Sequence, residues 1–222
     1  MKIKEIITED SETKRELMKE FAGIRMFAEE YCKPYLQEIG GFDKAIIDYP
    51  LYRGIELIEF PTGAHSKTIT VNQNRVPTDT PEGVQILIDD WFQERVGVRF
   101  RQTSLHCTGR FDTAIAYSGM ATGALIVIPM GEYHYAYSAQ YRDLFVALGK
   151  FNYKPPNGGA GMSVHEAEQF YKARINEFMD SGDYRFDTNI RGAIFSGTEI
   201  MLSCKKALVI RQKFLKKLVE PE

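Results

Sequence analysis

The sequence predicts an α+β fold. Segments rich in β-branched and aromatic residues come in adjacent groups, and neither an internal repeat nor a regular βαβ alternation is present. The chain has 222 residues, 44 % hydrophobic and 26 % charged, the balance of an ordinary globular protein rather than a fibre, coiled coil or disordered tail. At about 150 residues per domain, this suits one domain over residues 1–222, with residues 1–45 as an N-terminal helical accessory segment.

A short apolar stretch, Ile3 to Ile7, precedes Thr8 and Asp10, which offer N-caps to a helix. Its stripe of Leu17, Phe21, Ile24, Ala28 and Tyr31 steps by three and four. Pro34 kinks or ends it, and Gly40-Gly41 stops what remains. Leu51, Ile55, Leu57 and Ile58 mark a half-buried strand that runs to Phe60, and Lys67 to Val71 alternates like its partner. Thr80-Pro81 opens a helix through Val84, Leu87, Ile88, Trp91, Phe92 and Arg95 that Gly97 closes.

Phe100 to Cys107 reads as a strand, Thr108-Gly109 as a turn, and Phe111 to Tyr117 as a short helix. Gly123 to Met130 is a nearly continuous apolar run, hence a central strand. Ser138 caps a helix through Leu144, Phe145 and Leu148, after which FNYKPPNGGAGM forms an exposed loop. Ser163 with Glu166 fits a capping box for a helix with Ala167, Phe170, Tyr171, Ile175 and Phe178 on one side and Ser181-Gly182 at its end. Ile200 to Cys204 and Ala207 to Ile210 read as two strands joined at Lys205-Lys206.

Several function classes find little support. No apolar run approaches the ~18 residues of a membrane span, and the polar, acidic N-terminus is unlike a secretory signal, so a cytoplasmic location is expected. Cys32, Cys107 and Cys204 are an odd number without CxxC spacing and are expected as free thiols. GGAG at 158–161 follows a helix and not a strand, and GxxxxGK[ST] is absent. His106, Cys107, His134 and Cys204 lack zinc-site spacing, so no metal is expected, and a Cys107–histidine nucleophile pair is less favoured than a packed thiol. The net charge of −2 shows no global cationic field. The basic run Lys205, Lys206, Arg211, Lys213, Lys216 and Lys217 is a solvated rim before it is a nucleic-acid contact. Tyr133, Tyr135, Tyr137 and Tyr141 similarly read as structure before base-stacking.

Three features make more sense together. YRG at 52–54 puts Arg53 in an apolar strand, where a guanidinium needs an anion. RQTSLHCTG at 101–109 carries Ser104 and Thr108 into a turn, followed by a helix with Ala114 and Ala116. SGTEIML at 196–202 places Glu199 at the head of an apolar strand, where its pKa rises unless arginine or hydroxyl partners keep it ionised.

This order resembles the Arg-Ser-Glu arrangement of the ADP-ribosyltransferase fold, over about Leu51 to Ile210. The resemblance implies two small bent β-sheets enclosing an NAD cleft, with helices packed around them. It implies that Arg53 contacts the phosphate and ribose of NAD, that the Gly54 backbone holds the nicotinamide amide beside Tyr52, and that Glu199 contacts the reacting ribose. Family members usually show Ser-Thr-Ser in the middle motif; here Thr108, with its better spacing to Ala114, is preferred to Ser104. Arginine-modifying members carry Glu two positions before the glutamate, and others Gln, whereas this chain has Gly197. Either its acceptor is not arginine or transfer activity is lost.

The function implied is transfer of ADP-ribose, a glycosyl transfer with NAD as substrate, to an unknown macromolecular acceptor with release of nicotinamide. Small transferases of this kind are often toxin-like effectors, some encoded by bacteriophages and acting in the host cytoplasm. The loop from Asp187 to Thr198, with Arg191 and Phe195 exposed, is expected to face the acceptor. The alternative is an inactive member that uses the cleft or the Lys205–Lys217 rim to hold a host protein or nucleic acid; the purely structural reading of Arg53 and Glu199 is one buried ion pair that holds two strands together.

Overall fold

The computed structural model describes residues 3–54, 60–76, 80–117 and 123–219, with side chains from residue 14 to residue 215. Helix α1 (Ile3–Tyr31) is followed by α2 (Lys33–Ile39), a π-helical turn (Lys44–Asp48), β1 (Tyr52–Gly54) and β2 (Ser66–Thr70). Then come α3 (Glu82–Val96), α4 (Phe100–Thr103), β3 (Ser104–Thr108), α5 (Phe111–Tyr117) and β4 (Ala124–Ser138). The chain ends with α6 (Leu144–Lys150), a 3-10 turn (Pro156–Gly159), α7 (Val164–Ser181), β5 (Tyr184–Phe186), α8 (Ile190–Ser196), β6 (Glu199–Arg211) and α9 (Gln212–Val219).

The described chain is thus mixed helix and antiparallel sheet. Its spine is the long antiparallel pair β4–β6, which registers Leu125 with Arg211 at one end and Tyr137 with Ile200 at the other. The outer edge of β6 pairs β3 along its first half and β2 along its second. The outer edge of β4 pairs β1 at its start and β5 at its end. A straight ribbon of this length would span about 40 Å, yet β1 at one end meets β3 at the other through the pair Tyr52↔Thr108. The ribbon must therefore bend sharply. A bulge between Met130 and Tyr133 supplies the bend, with Gly131 at φ +69°, a conformation disfavoured for residues with a Cβ. Where two sheets are expected, this bridge joins all six strands into one.

Alternation along the strands feeds two cores. Ile200, Leu202 and Cys204 pack with Leu105, Tyr135 and Tyr137 against α1, α2, α8 and α9, so the N-terminal helices share the main core through Ile24, Ala28, Tyr35 and Leu36. Met201 and Ala136 face the other way, against Trp91, Phe92, Phe100, Leu144 and Phe178. The apolar run at the start of β4, Leu125 to Ile128, is buried throughout within the main core.

Local signals are read well. Phe111–Tyr117 is a helix, Gly40 and Gly97 end α2 and α3, and Ser163 with Glu166 forms a full capping box. Other expectations are corrected. Residues 100–103 form a helical turn and not a strand, because Asp89 accepts from the Arg101 amide there. Ser138 ends β4, accepting from the Gln140 and Tyr141 amides, and the cap of α6 is Asp143. Strand β6 is continuous, because Lys205 and Lys206 are held within it by β2. That makes β6, not the Leu51 segment, the partner of β2. Thr8 and Asp10 fall inside α1 with side chains outside the described set, as are those of Lys216 and Lys217, while Ile55, Leu57 and Ile58 lie outside the described residues. Tyr31 is 47 % exposed and leaves the buried stripe.

Gly109, between β3 and α5, packs so closely on α8 that a Cβ there would lie 1.8 Å from the Ile194 carbonyl oxygen. Gly109→Ala is expected to cost about 1–3 kcal/mol in urea denaturation, whereas Gly23→Ala, in open space on α1, should be neutral or slightly stabilising. Equal stability of both variants would contradict the packing described.

Candidate active site

A cleft of about 420 Å³ opens on the face of β3 and β6 that carries Met201, at the margin of the second core. Three strands distant in sequence supply its floor: Tyr52, Arg53 and Gly54 from β1, His106, Cys107 and Thr108 from β3, and Glu199 from β6. Arg75, Arg101, Thr113, Ala114, Tyr117, Arg142, Asp143 and Phe145 complete its walls. Four arginines thus face two carboxylates, which favours an anionic occupant.

Glu199 is the most constrained of these groups. The register Thr108↔Glu199 puts it diagonally opposite His106 on one face of the sheet, close enough for long side chains to meet. His106 Nδ1 bonds Glu199 Oε1, Arg101 Nη1 lies 3.6 Å from the same oxygen, and the Leu144 amide donates to Oε2 at 3.0 Å. Burial alone pushes the Glu199 carboxyl up, but His106, Arg101 and the Leu144 amide outweigh it and hold it at about 2. Burial also lowers the His106 pKa, the Glu199 carboxylate pulling it the other way, and the Nδ1 that faces the ionised carboxylate carries the proton between them. Its Nε2 is buried with no hydrogen-bond partner. Arg101 supplies the balancing charge.

Arg53 Nη1 donates to the His106 carbonyl at 3.1 Å, and its buried Nε has no hydrogen-bond partner. Burial lowers its pKa from a high ordinary value, and at pH 7 it remains a cation. The expected alternative, an Arg53–Glu199 ion pair, is replaced by Glu199 with Arg101 and His106. Tyr52 packs edge-on against Phe111, with ring centroids 5.6 Å apart. Thr108, 4 % exposed, donates to the Gly197 carbonyl at 3.4 Å and accepts from the Arg110 amide, tying the end of β3 to the turn that launches β6.

Ser104 stands at the opposite end of β3, across from Ser203, buried and outside the cleft lining. It drops out as a site residue. Residues 190–196 form α8 instead of a loop. Arg191 stacks over Tyr49 at 5.7 Å, and Phe195 is 88 % exposed; neither lines the cleft. Gly197 has φ +67°, a conformation strained for any residue with a Cβ, so the turn disfavours the Glu or Gln of the resembled pattern.

His106 and Arg101 are the residues that sequence reasoning missed as partners of Glu199. The period of two that puts His106 and Thr108 on one face was available; the register that brings both to Glu199 was not. The thiols of Cys32, Cys107 and Cys204 are buried and pushed up by burial to about 12, unlike a reactive thiolate. Among the described residues, no cluster of three metal-ligating side chains occurs and no helix is long and apolar enough to cross a membrane. Tyr133 and Tyr135 both donate to Glu38, which makes them structural.

Because Glu199 is held at about 2, below its ordinary 4.5, the stability it contributes is present above pH 4.5 and lost as pH falls towards 2. The stability gap between wild type and Glu199→Gln in urea denaturation should be constant from pH 7 to 5 and shrink by pH 3. A gap that widens on acidification would contradict an ionised Glu199. No family, characterised protein or solved structure matches this chain, so its functional reading rests on these residues.

Proposed function

We propose that the chain transfers ADP-ribose from NAD to a macromolecular acceptor and releases nicotinamide. The observation that supports this most is the meeting of Arg53, Gly54, Thr108 and Glu199 in one arginine-lined cleft. Arg53 fixes the pyrophosphate by charge-assisted hydrogen bonds, and Gly54 offers backbone groups to the nicotinamide amide. Glu199 faces the ribose next to the bond that breaks.

When the ribose C1′–nicotinamide bond breaks, its electron pair leaves with the nicotinamide and positive charge develops on the ribose. An ionised carboxylate fixed in place beforehand stabilises that charge without reorganising. The acceptor's lone pair then forms the new bond to C1′, and its proton passes to Glu199 or solvent. Thr108 acts through the turn at Gly197 and not on the substrate. With no side chain at 197 to orient a guanidinium, and four arginines nearby, the acceptor is not an arginine.

A second reading, a silent module that holds a host protein or nucleic acid, draws on the same bare position 197. Exposed Lys205 and Lys206 on β6 would then carry affinity. Nicotinamide release separates the two. Purified wild type, given NAD and cell extract, should release nicotinamide, and Glu199→Gln should lower the rate at least ~100-fold, as removal of one transition-state group does. No release by folded wild-type protein, with partner binding lost on Lys205→Ala and Lys206→Ala, would favour the module.

A further inference from the structure

Asp89 lies on α3, outside the cleft lining, and is 2 % exposed. Its Oδ1 accepts from the Arg101 amide at 2.7 Å, while the Gln102 amide donates to the Arg99 carbonyl. The first amides of a helix lack partners within it, and Arg99, at the N-cap of α4, makes no side-chain cap. Asp89 supplies that cap from another helix. The residue whose amide it holds, Arg101, is the one whose guanidinium approaches Glu199.

We infer that Asp89 is a positioning residue for Glu199: its buried carboxylate fixes the backbone of α4 so that Arg101 reaches the Glu199 carboxylate. The functional part of this inference rests on Glu199 acting on the substrate.

The charge on Asp89 is a cost to the fold at neutral pH. Burial pushes its carboxyl up to about 6, restrained by the Arg101 amide and by the Arg101 and Arg99 charges. A folded-state value above the ordinary 3.8 means the stability linked to Asp89 is fully present below that value and lost as pH rises through about 6. Nearby charges are otherwise engaged. Asp90, next along α3, pairs with Arg99 at 2.7 Å, and on α7 Asp180 is turned to Arg95 and Trp91. Ionised, Asp89 holds the Arg101 amide by a charge-assisted hydrogen bond; protonated, it keeps only the weaker neutral one.

The test uses the full chain with Asp89→Asn, following the guanidinium Nε–H NMR resonance of Arg101 from pH 5 to 8, assigned by its loss in Arg101→Lys. In wild type it should shift with a midpoint near 6; in Asp89→Asn it should stay at the low-pH position. Urea stability of the variant at pH 7.5 should be kept or raised. Nicotinamide release by wild type should fall about fivefold from pH 7.5 to 5, the difference of ~1 kcal/mol between a charge-assisted and a neutral hydrogen bond to the Arg101 amide, and be independent of pH in Asp89→Asn. An inflection that persists in the variant belongs to His106 and overturns the inference. Should Asp89→Asn not fold, the wild-type titration decides, and its lack of an inflection near 6 overturns the inference. A titration as expected with no NAD consumption would overturn the NAD reading and leave the hold of Asp89 on Arg101 standing.

Discussion

Glu199 carries its charge where little water reaches it, and the elements around it are tied together by what keeps that charge in place. A lone buried carboxylate would take up a proton. Here β3 brings His106, α4 brings Arg101 and the start of α6 brings the Leu144 amide, so four elements meet at one side chain. The backbone repeats the connection: the Glu199 amide donates to the Arg142 carbonyl, just before α6. A carboxylate bound this way is rigid as well as ionised, the state that electrostatic stabilisation of developing positive charge requires.

The bend of the sheet makes this meeting possible. Without the bulge near Gly131, the β4–β6 ribbon would hold β1 and β3 apart, and Arg53 would stand far from Glu199. With it, Tyr52 reaches Thr108, and the cleft forms where the two ends of the ribbon approach. The main core under the opposite face then serves as a platform: Ile200 and Leu202 are anchored there while Glu199 is presented on the other side. Close packing at Gly109 sets α8 against this turn, and the left-handed backbone at Gly197 disfavours a side chain two residues before the glutamate.

What could be read in the sequence was mostly local. The capping box at Ser163 and Glu166, the helix Phe111–Tyr117 and the glycine stops are set by neighbours within a few residues, and they are found as expected. Features set by distant partners were not legible. Lys205-Lys206 looks like a turn until β2 is laid beside it, and Phe100–Thr103 looks like a strand until Asp89 holds the Arg101 amide. In the cleft, the motifs singled out Arg53, Gly54, Thr108 and Glu199, which do line one cavity. His106 was weighed only as a metal ligand and Arg101 only as part of a motif, because their role depends on strand register and on a short helix that the pattern does not reveal.

The most direct measurement is a crystal structure of Glu199→Gln grown with saturating NAD, a variant that retains the cleft but lacks the carboxylate charge. The expected result is NAD in the cleft, with its pyrophosphate on Arg53 and its nicotinamide ribose beside position 199. An empty cleft, or NAD bound elsewhere on a protein that otherwise keeps this fold, would contradict the assignment of the cleft to NAD.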